Sequence, residues 1–540
     1  MTADSMNTRI WISNGTDYVF PEQTANLPAT PNTGVCFSGG GTRALTAAMG
    51  QLRGLTSLNL MGNIRYISCV SGGSWAAAPY TYYTSGPAND AELLGPITPP
   101  RKITMAGLAH LPKTCLGHTA TQSLSGAIVA GILKGVCDDQ LWIFAVGVTY
   151  FHPFGLFAHH PSSYFSLDAD TVADIKRRNP SLADATFYTV RTDAPRPYLI
   201  VNSSLVGPAS QAPYSSESLV GFEYTPLYVG SPFALNVTYR PDFGSPETCL
   251  VGGGFIEPFA MGSSAPADAP SGGSVDVDPP PAPFTLPDAS GTSSSAFVGI
   301  IEKVTSDLSP QQRYWPVTNT GGLPTRDFAF GDGGLLENLG LIALLLRQVT
   351  TIVVFINTET KLSMTYVPTK KNPPTATEFD NDTPPLFGYG SGPTANNQVF
   401  KKADFVKLVT NLQNARRAHN TAITTIKHTV LENDWWGLKG GWDVTICWVY
   451  LDRVKKWERK LKPEVKAAIV AGNASTPSGP FRDFPNYLTI DEDPGILPSL
   501  VQLTKEQVNL LADLTCWDIT QNSDTFTELL APTPPPGTGS

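Results

Sequence analysis

Three short segments carry the residue types that could do chemistry. The first is Cys69-Val70-Ser71-Gly72-Gly73, followed by Ser74-Trp75. A serine among small residues, at the end of an apolar run and ahead of a helix, fits a strained strand-to-helix turn that exposes its hydroxyl. That is a nucleophile elbow with Cys69 in place of the first glycine. The plain alternative is a serine that caps the following helix. The second segment is Ser38-Gly39-Gly40-Gly41-Thr42-Arg43-Ala44. Its glycines let the backbone turn tightly and aim several N–H groups at one spot, beside the positive end of a helix dipole. Such an anion hole serves a phosphate or an oxyanion. The third is Asp332 in Phe330-Gly331-Asp332-Gly333-Gly334. A serine hydroxyl needs a base at neutral pH. A carboxylate can be that base when a dry cleft desolvates it, and the plain alternative is a turn aspartate capping the next helix.

Two rivals are weighed on the same residues. Gly39-x-Gly41-x-x-Ala44 also fits a dinucleotide fingerprint, which needs an acidic residue at the end of the next strand. None occurs between Glu22 and Asp90, so that reading is set aside. A histidine base is the other rival. His419 and His428 follow Ser71 and Asp332 in the order of an α/β-hydrolase triad. They lie, however, in a segment, 405–431, that reads as one long amphipathic helix, so surface or core positions suit them better. His152 and His159-His160 fall in the apolar stretch 141–160 and have no adjacent acid to orient them.

The elements that must position these residues alternate. Strands are expected at 34–37, 65–70, 350–356 and 442–451. Helices are expected at 43–58, 73–83, 335–347, 405–431 and 452–471, the last interrupted at Pro463. Another opens at the capping box Thr504-Lys505-Glu506-Gln507 and runs through 514. Alternation of this kind predicts an α/β fold with a mainly parallel sheet. It sets the glycine turn and the Ser71 turn side by side at one sheet edge, where open α/β sheets hold their sites. Segment 262–295, rich in Pro, Ser, Gly and Ala and without Lys or Arg, reads as a long surface loop. Stretch 141–160 reads equally as a lid and as a buried helical segment.

Bulk properties narrow the classes further. The 540 residues are 41% hydrophobic and only 15% charged, with a formal net charge of −9. No long Lys/Arg run exists, which argues against nucleic acid and against strong electrostatic docking on anionic membranes. The seven cysteines show no CxxC spacing, so neither a metal site nor a disulfide framework is expected, and buried free thiols are. The first residues lack the apolar core of a signal peptide, and the longest apolar stretch is broken at His152-Pro153. A cytoplasmic location follows, with peripheral contact to membranes allowed.

Taken in order, Ser38 to Ala44, Ser71-Gly72-Gly73-Ser74-Trp75 and Asp332-Gly333-Gly334 with Asn338 resemble the catalytic domain of cytosolic phospholipase A2 and fungal phospholipase B (lysophospholipase), in the patatin-like superfamily. Phe222-Glu223-Tyr224-Thr225-Pro226-Leu227-Tyr228-Val229-Gly230-Ser231 is similar to a Glu-Phe-Thr-Pro stretch of that family. Gly254-Phe255 through Met261-Gly262-Ser263 is similar to the segment after it. Residues 352–357 and Phe484-Pro485-Asn486-Tyr487 match later family segments, so the resemblance covers residues 30–515. It implies a patatin-like three-layer α/β/α fold with a central mainly parallel sheet and large loop or cap insertions. It implies a Ser–Asp dyad without histidine: Ser71 as nucleophile, Asp332 as base, and Gly40 and Gly41 as oxyanion donors. Arg43 would bind the substrate phosphate or stabilise charge, and Gly72 is counted with it among the substrate contacts. No metal or cofactor is implied. Thr42 and Cys69 depart from the family pattern, where an aromatic residue and a glycine are usual. No calcium-binding module is expected before residue 30.

The expected organisation is an extension at 1–29, one catalytic domain at 30–520 with the flexible loop 262–295 inside it, and a tail at 521–540. The expected function is hydrolysis of phospholipid or lysophospholipid acyl esters through an acyl-serine. Alternatives are acyl transfer on the same dyad and a lipid-binding protein without catalysis.

Overall fold

Alternation along the central strands sends side chains into two layers. Val35, Phe37, Ile67, Cys69, Val353 and Phe355 enter one core, while Cys36, Tyr66, Ile352, Val354 and Ile356 enter the other. Burial on both faces is why these strands read as unbroken apolar runs. The computed structural model describes residues 5–13, 18–25, 27, 30–158, 163–209, 218–240, 245–267, 273–295, 309–318, 325–491 and 499–531.

Thirteen strands form the main sheet among the described residues. They are β1 (Met6–Ile12), β2 (Thr33–Phe37), β3 (Tyr66–Val70), β4 (Tyr198–Pro208), β5 (Val220–Tyr224), β6 (Val229–Ser231), β7 (Gly254–Ile256) and β8 (Ser274–Val277). The rest are β9 (Gln311–Tyr314), β10 (Arg326–Asp332), β11 (Thr351–Ile356), β12 (Ala422–Thr429) and β13 (Asp443–Tyr450). The order is β8-β1-β7-β6-β5-β4-β3-β2-β11-β13-β12, with β10 also on β4 and β9 on β10. The five central strands β4, β3, β2, β11 and β13 are parallel. Antiparallel strands extend the sheet on both sides. One face is covered by helices α1 (Gly41–Ser57), α2 (Gly72–Tyr82), α3 (Leu286–Thr292) and α6 (Lys505–Gln521). The other carries α4 (Leu341–Leu346) and α5 (Lys402–Arg417). The expected α/β/α layering and parallel centre are therefore present.

Several local expectations are corrected. Segment 335–347 is not one helix: a single tight turn, Gly333–Leu335, precedes α4, and Gly340 at φ +72° separates them. Segment 405–431 is helix only to Arg417. The chain reverses at His419, φ +62°, and continues as β12. The apolar spacing Ala422–Ile426 fits a helix face and a strand face alike, since four is a multiple of two. The β-branched residues Ile423, Thr424, Thr425 and Ile426 decide for the strand. Segment 262–295 contains β8 and the buried helix α3, which opens on a capping box between Thr285 and Asp288. Its small residues suit close packing, and Phe284, Leu286 and Ala289 are core. Met6–Ile12, assigned to an extension, is a strand of the main sheet. Beyond residue 520 the chain forms a further helix, Ser523–Leu529; 532–540 lie outside the described residues.

Six of the seven cysteines are buried free thiols, but Cys137 is exposed. Stretch 141–160 is helical as far as Phe154 and buried through Phe151 apart from the half-buried Val148, with His152 and Pro153 exposed and the Trp142 indole donating to the Gly291 carbonyl at 3.0 Å. His159 and His160 lie outside the described residues. No helix among the described residues is long and apolar enough to cross a membrane.

Candidate active site

Strand register alone brings Ser71 and Asp332 together. β3 runs parallel to β4 and ends with Val70 opposite Asn202. β10 runs antiparallel to β4 and ends with Asp332 opposite Ser203. The other edge of β4 is taken by β5 over Val201–Leu205, so β3 and β10 share one edge and meet end to end. Consecutive strand residues are about 3.3 Å apart, and Ser71 and Asp332 stand on either side of that junction.

Ser71 has φ +48° and ψ −125°, a conformation that costs a non-glycine residue on the order of 1–3 kcal/mol and persists only where its surroundings hold it. Its N–H donates to Ser293 Oγ at 2.9 Å, and its carbonyl accepts from the Ser74 N–H and hydroxyl at 2.8 and 2.7 Å. Small residues are needed around it because the neighbouring strand end and turn leave no room for a side chain. A Cβ on Gly73 would lie 2.5 Å from the Phe37 carbonyl oxygen, and one on Gly72 only 2.1 Å from that of Gly41. The elbow is pressed against the glycine turn.

That turn needs its glycines for conformation as well. Gly40 has φ +127° and Gly41 φ +55°. Gly41 is the first residue of α1, whose leading N–H groups have no partner within the helix. The Gly39 N–H donates to the Asn338 carbonyl at 3.0 Å. A Cβ on Gly39 would lie 2.1 Å from Asn338 Oδ1 and 3.1 Å from Ser71 Cβ. Arg43 is buried behind the turn. Its Nε donates to the Asn357 carbonyl at 2.8 Å, and its Nη1 contacts the Tyr487 carbonyl at 2.5 Å, Thr489 Oγ1 at 2.8 Å and Glu359 at 3.1 Å. Nη2 packs against Gly40, 2.3 Å from where a Cβ would stand. Burial pulls this guanidinium below the usual arginine range, and Glu359 acts against that shift.

Asp332 is 3% exposed. Its Oδ1 accepts the Gly334 N–H at 2.6 Å, and its carbonyl accepts the Ser204 hydroxyl at 3.0 Å. Ser71, Asp332, Gly40, Gly41 and Arg43 all line one cleft of about 550 Å³, within the usual size range of small-molecule sites. The Ser71 hydroxyl makes no hydrogen bond to a described residue. Catalytic hydrogen bonds are often long before substrate binds and tighten afterwards. Across the cleft, Asn338 Nδ2 donates to Asp382 Oδ2 at 2.5 Å. Burial, with Asp380 beside it, pushes the Asp382 carboxyl well above the ordinary range. Asn338 thus ties the Asp332 turn to the glycine turn and to the cleft wall. Gly72 does not line the cleft; its role is the close approach to Gly41.

Sequence order alone did not find Ser293. It lies in the segment read as a loop, and the signal for it was the capping pattern Thr285-Leu286-Pro287-Asp288, which announces a helix. No group of three or more His, Cys, Asp or Glu among the described residues is arranged to hold a metal.

No described histidine lines the cleft. His428 pairs with Asp404 at 3.3 Å, which resembles a catalytic pair, but its Nε2 is occupied by the Trp448 indole N–H at 3.1 Å. Burial lowers its pKa, with Asp404 opposing. It also sits on β12, four strands from β3, which is about 19 Å at normal strand spacing. His428→Ala and His419→Ala should therefore leave any ester hydrolysis by the wild-type protein unchanged; for His428→Ala thermal unfolding should show a core defect of about 1–3 kcal/mol. A folded but inactive variant would restore a histidine mechanism.

No family model matches the chain. Over 67 residues, 12% of this chain and 8% of the relative, it is 43% identical to cytosolic phospholipase A2 zeta of Mus musculus. Identity to cytosolic phospholipase A2 zeta of Homo sapiens is 40% over 67 residues, again 12% of this chain and 8% of the relative. Among solved structures, human GIVD cytosolic phospholipase A2 is similar at a TM-score of 0.47 and 11% identity, covering 93% of this chain and 60% of that one. Its complex with methyl gamma-linolenyl fluorophosphonate gives 0.43 and 12%, covering 93% and 58%. The chain thus spans about three-fifths of those solved chains, and its matched segment is a small part of the curated relatives.

Proposed function

We propose that this chain is a lipid acyl-ester hydrolase of the phospholipase A/B or lysophospholipase type, acting through a Ser71–Asp332 dyad. The observation that carries the reading is the end-to-end meeting of β3 and β10 on β4, with the Gly39–Gly41 backbone pressed against the same turn. Asp332 takes the Ser71 proton, and Ser71 Oγ attacks the ester carbonyl carbon. The Gly40 and Gly41 N–H groups hold the oxyanion; losing one such donor typically costs about 10²–10³ in rate. Collapse expels the alcohol, which takes the proton from Asp332. Water, deprotonated by Asp332, then attacks acyl-Ser71, and the fatty acid is released as Ser71 Oγ recovers the proton from Asp332.

Arg43 is spent mainly on protein groups, which supports a role behind the Gly40 turn more than a phosphate clamp. The short stretch of identity to proteins named cytosolic phospholipase A2 zeta supports a phospholipid substrate and a cytoplasmic location; a lysophospholipid substrate and peripheral membrane contact belong to the proposal itself. The test is covalent labelling by a fluorophosphonate probe together with fatty-acid release from lysophosphatidylcholine. Both are expected, and labelling should vanish in Ser71→Ala. Labelling that survives that substitution overturns the assignment. Acyl product on an added alcohol in place of free acid would mark a transferase, and lipid binding without labelling a non-catalytic binder.

A further inference from the structure

We propose that Ser293 is the positioning residue that sets the Ser71–Asp332 junction; the functional consequence rests on the hydrolase reading above. Besides the bond from its own N–H to the Ala289 carbonyl, the residue makes three bonds, one to each of the two turns that meet there and one to the strand they share. Its Oγ accepts the Ser71 N–H at 2.9 Å and donates to the Asn202 carbonyl at 2.5 Å, while its own carbonyl accepts the Gly333 N–H at 3.3 Å. It therefore bonds the nucleophile turn, the strand both partners share, and the turn directly after Asp332.

A hydroxyl is the side-chain group suited to this place, because one atom must both donate and accept. The neighbouring serines behave differently. Ser294 Oγ turns back on the Ser290 carbonyl at 2.7 Å, and Ser295 Oγ on that of Thr292 at 2.9 Å. Ser293 alone of the three sends its hydroxyl out of α3. The helix is itself fixed, at its start by Thr285 and Asp288, and at its end by the Trp75 and Trp142 indoles on Ser294 at 3.1 and 3.3 Å. With its N–H committed to Ser293, Ser71 offers no amide to the substrate, which leaves the oxyanion to the glycine turn.

The first test does not depend on activity. In Ser293→Ala, hydrogen exchange at the Ser71 amide should accelerate, while amides within β3 keep wild-type protection. Unchanged exchange at Ser71 overturns the tie. The second test is kinetic: kcat for lysophosphatidylcholine should fall about 10–100-fold, as for a displacement near 1 Å at a reacting group, with KM within about twofold. Ser293→Cys, whose thiol is a weaker donor and acceptor, should fall between wild type and Ser293→Ala. If Ser293→Ala unfolds, the Cys variant carries both readouts. Ser295→Ala should leave both at wild type. A wild-type rate in the Ala and Cys variants overturns the positioning role. A wild-type protein that neither labels nor hydrolyses ends the hydrolase reading, and the exchange measurement still decides the tie.

Discussion

Asp332→Asn should lower kcat on lysophospholipid by about 10²–10⁴-fold, the contribution typical of a positioned general base. The folded state should survive the change. The amide oxygen can still accept the Gly334 N–H that Asp332 Oδ1 holds at 2.6 Å, and the bond from Ser204 goes to the backbone. On the proposed dyad, what is lost is the ability to take a proton from Ser71. Ser71→Ala should be as inactive or more so, and it too should fold, since the bonds at that turn from Ser293 and Ser74 involve the Ser71 backbone. The decisive comparison pairs kcat with thermal unfolding on the same preparations. Full activity in either folded variant overturns the dyad, and inactivity with a collapsed unfolding transition would point to a structural role instead. A further consequence distinguishes the two residues. Asp332→Asn retains the nucleophile, so a strong phosphonylating probe should still label it slowly, whereas Ser71→Ala should not label at all.

What could be read before the structure was governed by how local each signal is. The turns at 38–44 and 69–75 announce themselves because glycine at positive φ and a serine at a strand end are properties of a few adjacent residues, and both sit where the alternation predicted. β2, β3 and β11 were legible as short apolar runs for the same reason. The pairing of Ser71 with Asp332 is not local. It depends on β10 taking over the edge of β4 that β3 leaves, a register relation between segments 260 residues apart in the chain. The sequence reading reached it through a resemblance and through the poor placement of the histidines. Even that second argument rested on an incorrect element, for His428 lies on β12 and not on a helix. It is excluded from the chemistry by Trp448 and by distance, neither of which periodicity reveals. Ser293 was hidden by composition. A run of Ser, Gly, Ala and Pro reads as unable to bury itself, yet small residues are what a helix needs to pass close behind a catalytic turn. Met6–Ile12 was lost in the same way: seven residues alternating in burial are too few to claim a place in a sheet until β7 and β8 pair with them.

Gly72→Ala should be among the most damaging single methyls at the site. Its Cβ would stand 2.1 Å from the carbonyl oxygen of Gly41 and 2.6 Å from the Gly41 nitrogen. Both are backbone atoms at the start of α1, so no side chain can swing aside to make room. Relief requires the elbow and the glycine turn to separate by about 1 Å, a displacement that can cost 10²-fold when it falls on reacting groups. On the proposed mechanism it also moves an oxyanion donor away from the carbonyl under attack by Ser71, an effect of about 10²–10³ in its own right. The two overlap because one motion causes both, so kcat should fall by about 10³-fold with a stability loss of about 1–3 kcal/mol from overpacking. Gly273→Ala is the matched control, since a Cβ there meets nothing within 4 Å, and it should keep full activity. Fluorophosphonate labelling separates the causes: the phosphonyl transition state also needs the oxyanion donors, so its rate should fall in step with kcat. Labelling at the wild-type rate in Gly72→Ala would mean that the Gly41 amide is not part of the oxyanion hole. The close contact between the two turns would then be a packing feature alone, and Gly40 would have to hold the charge without it.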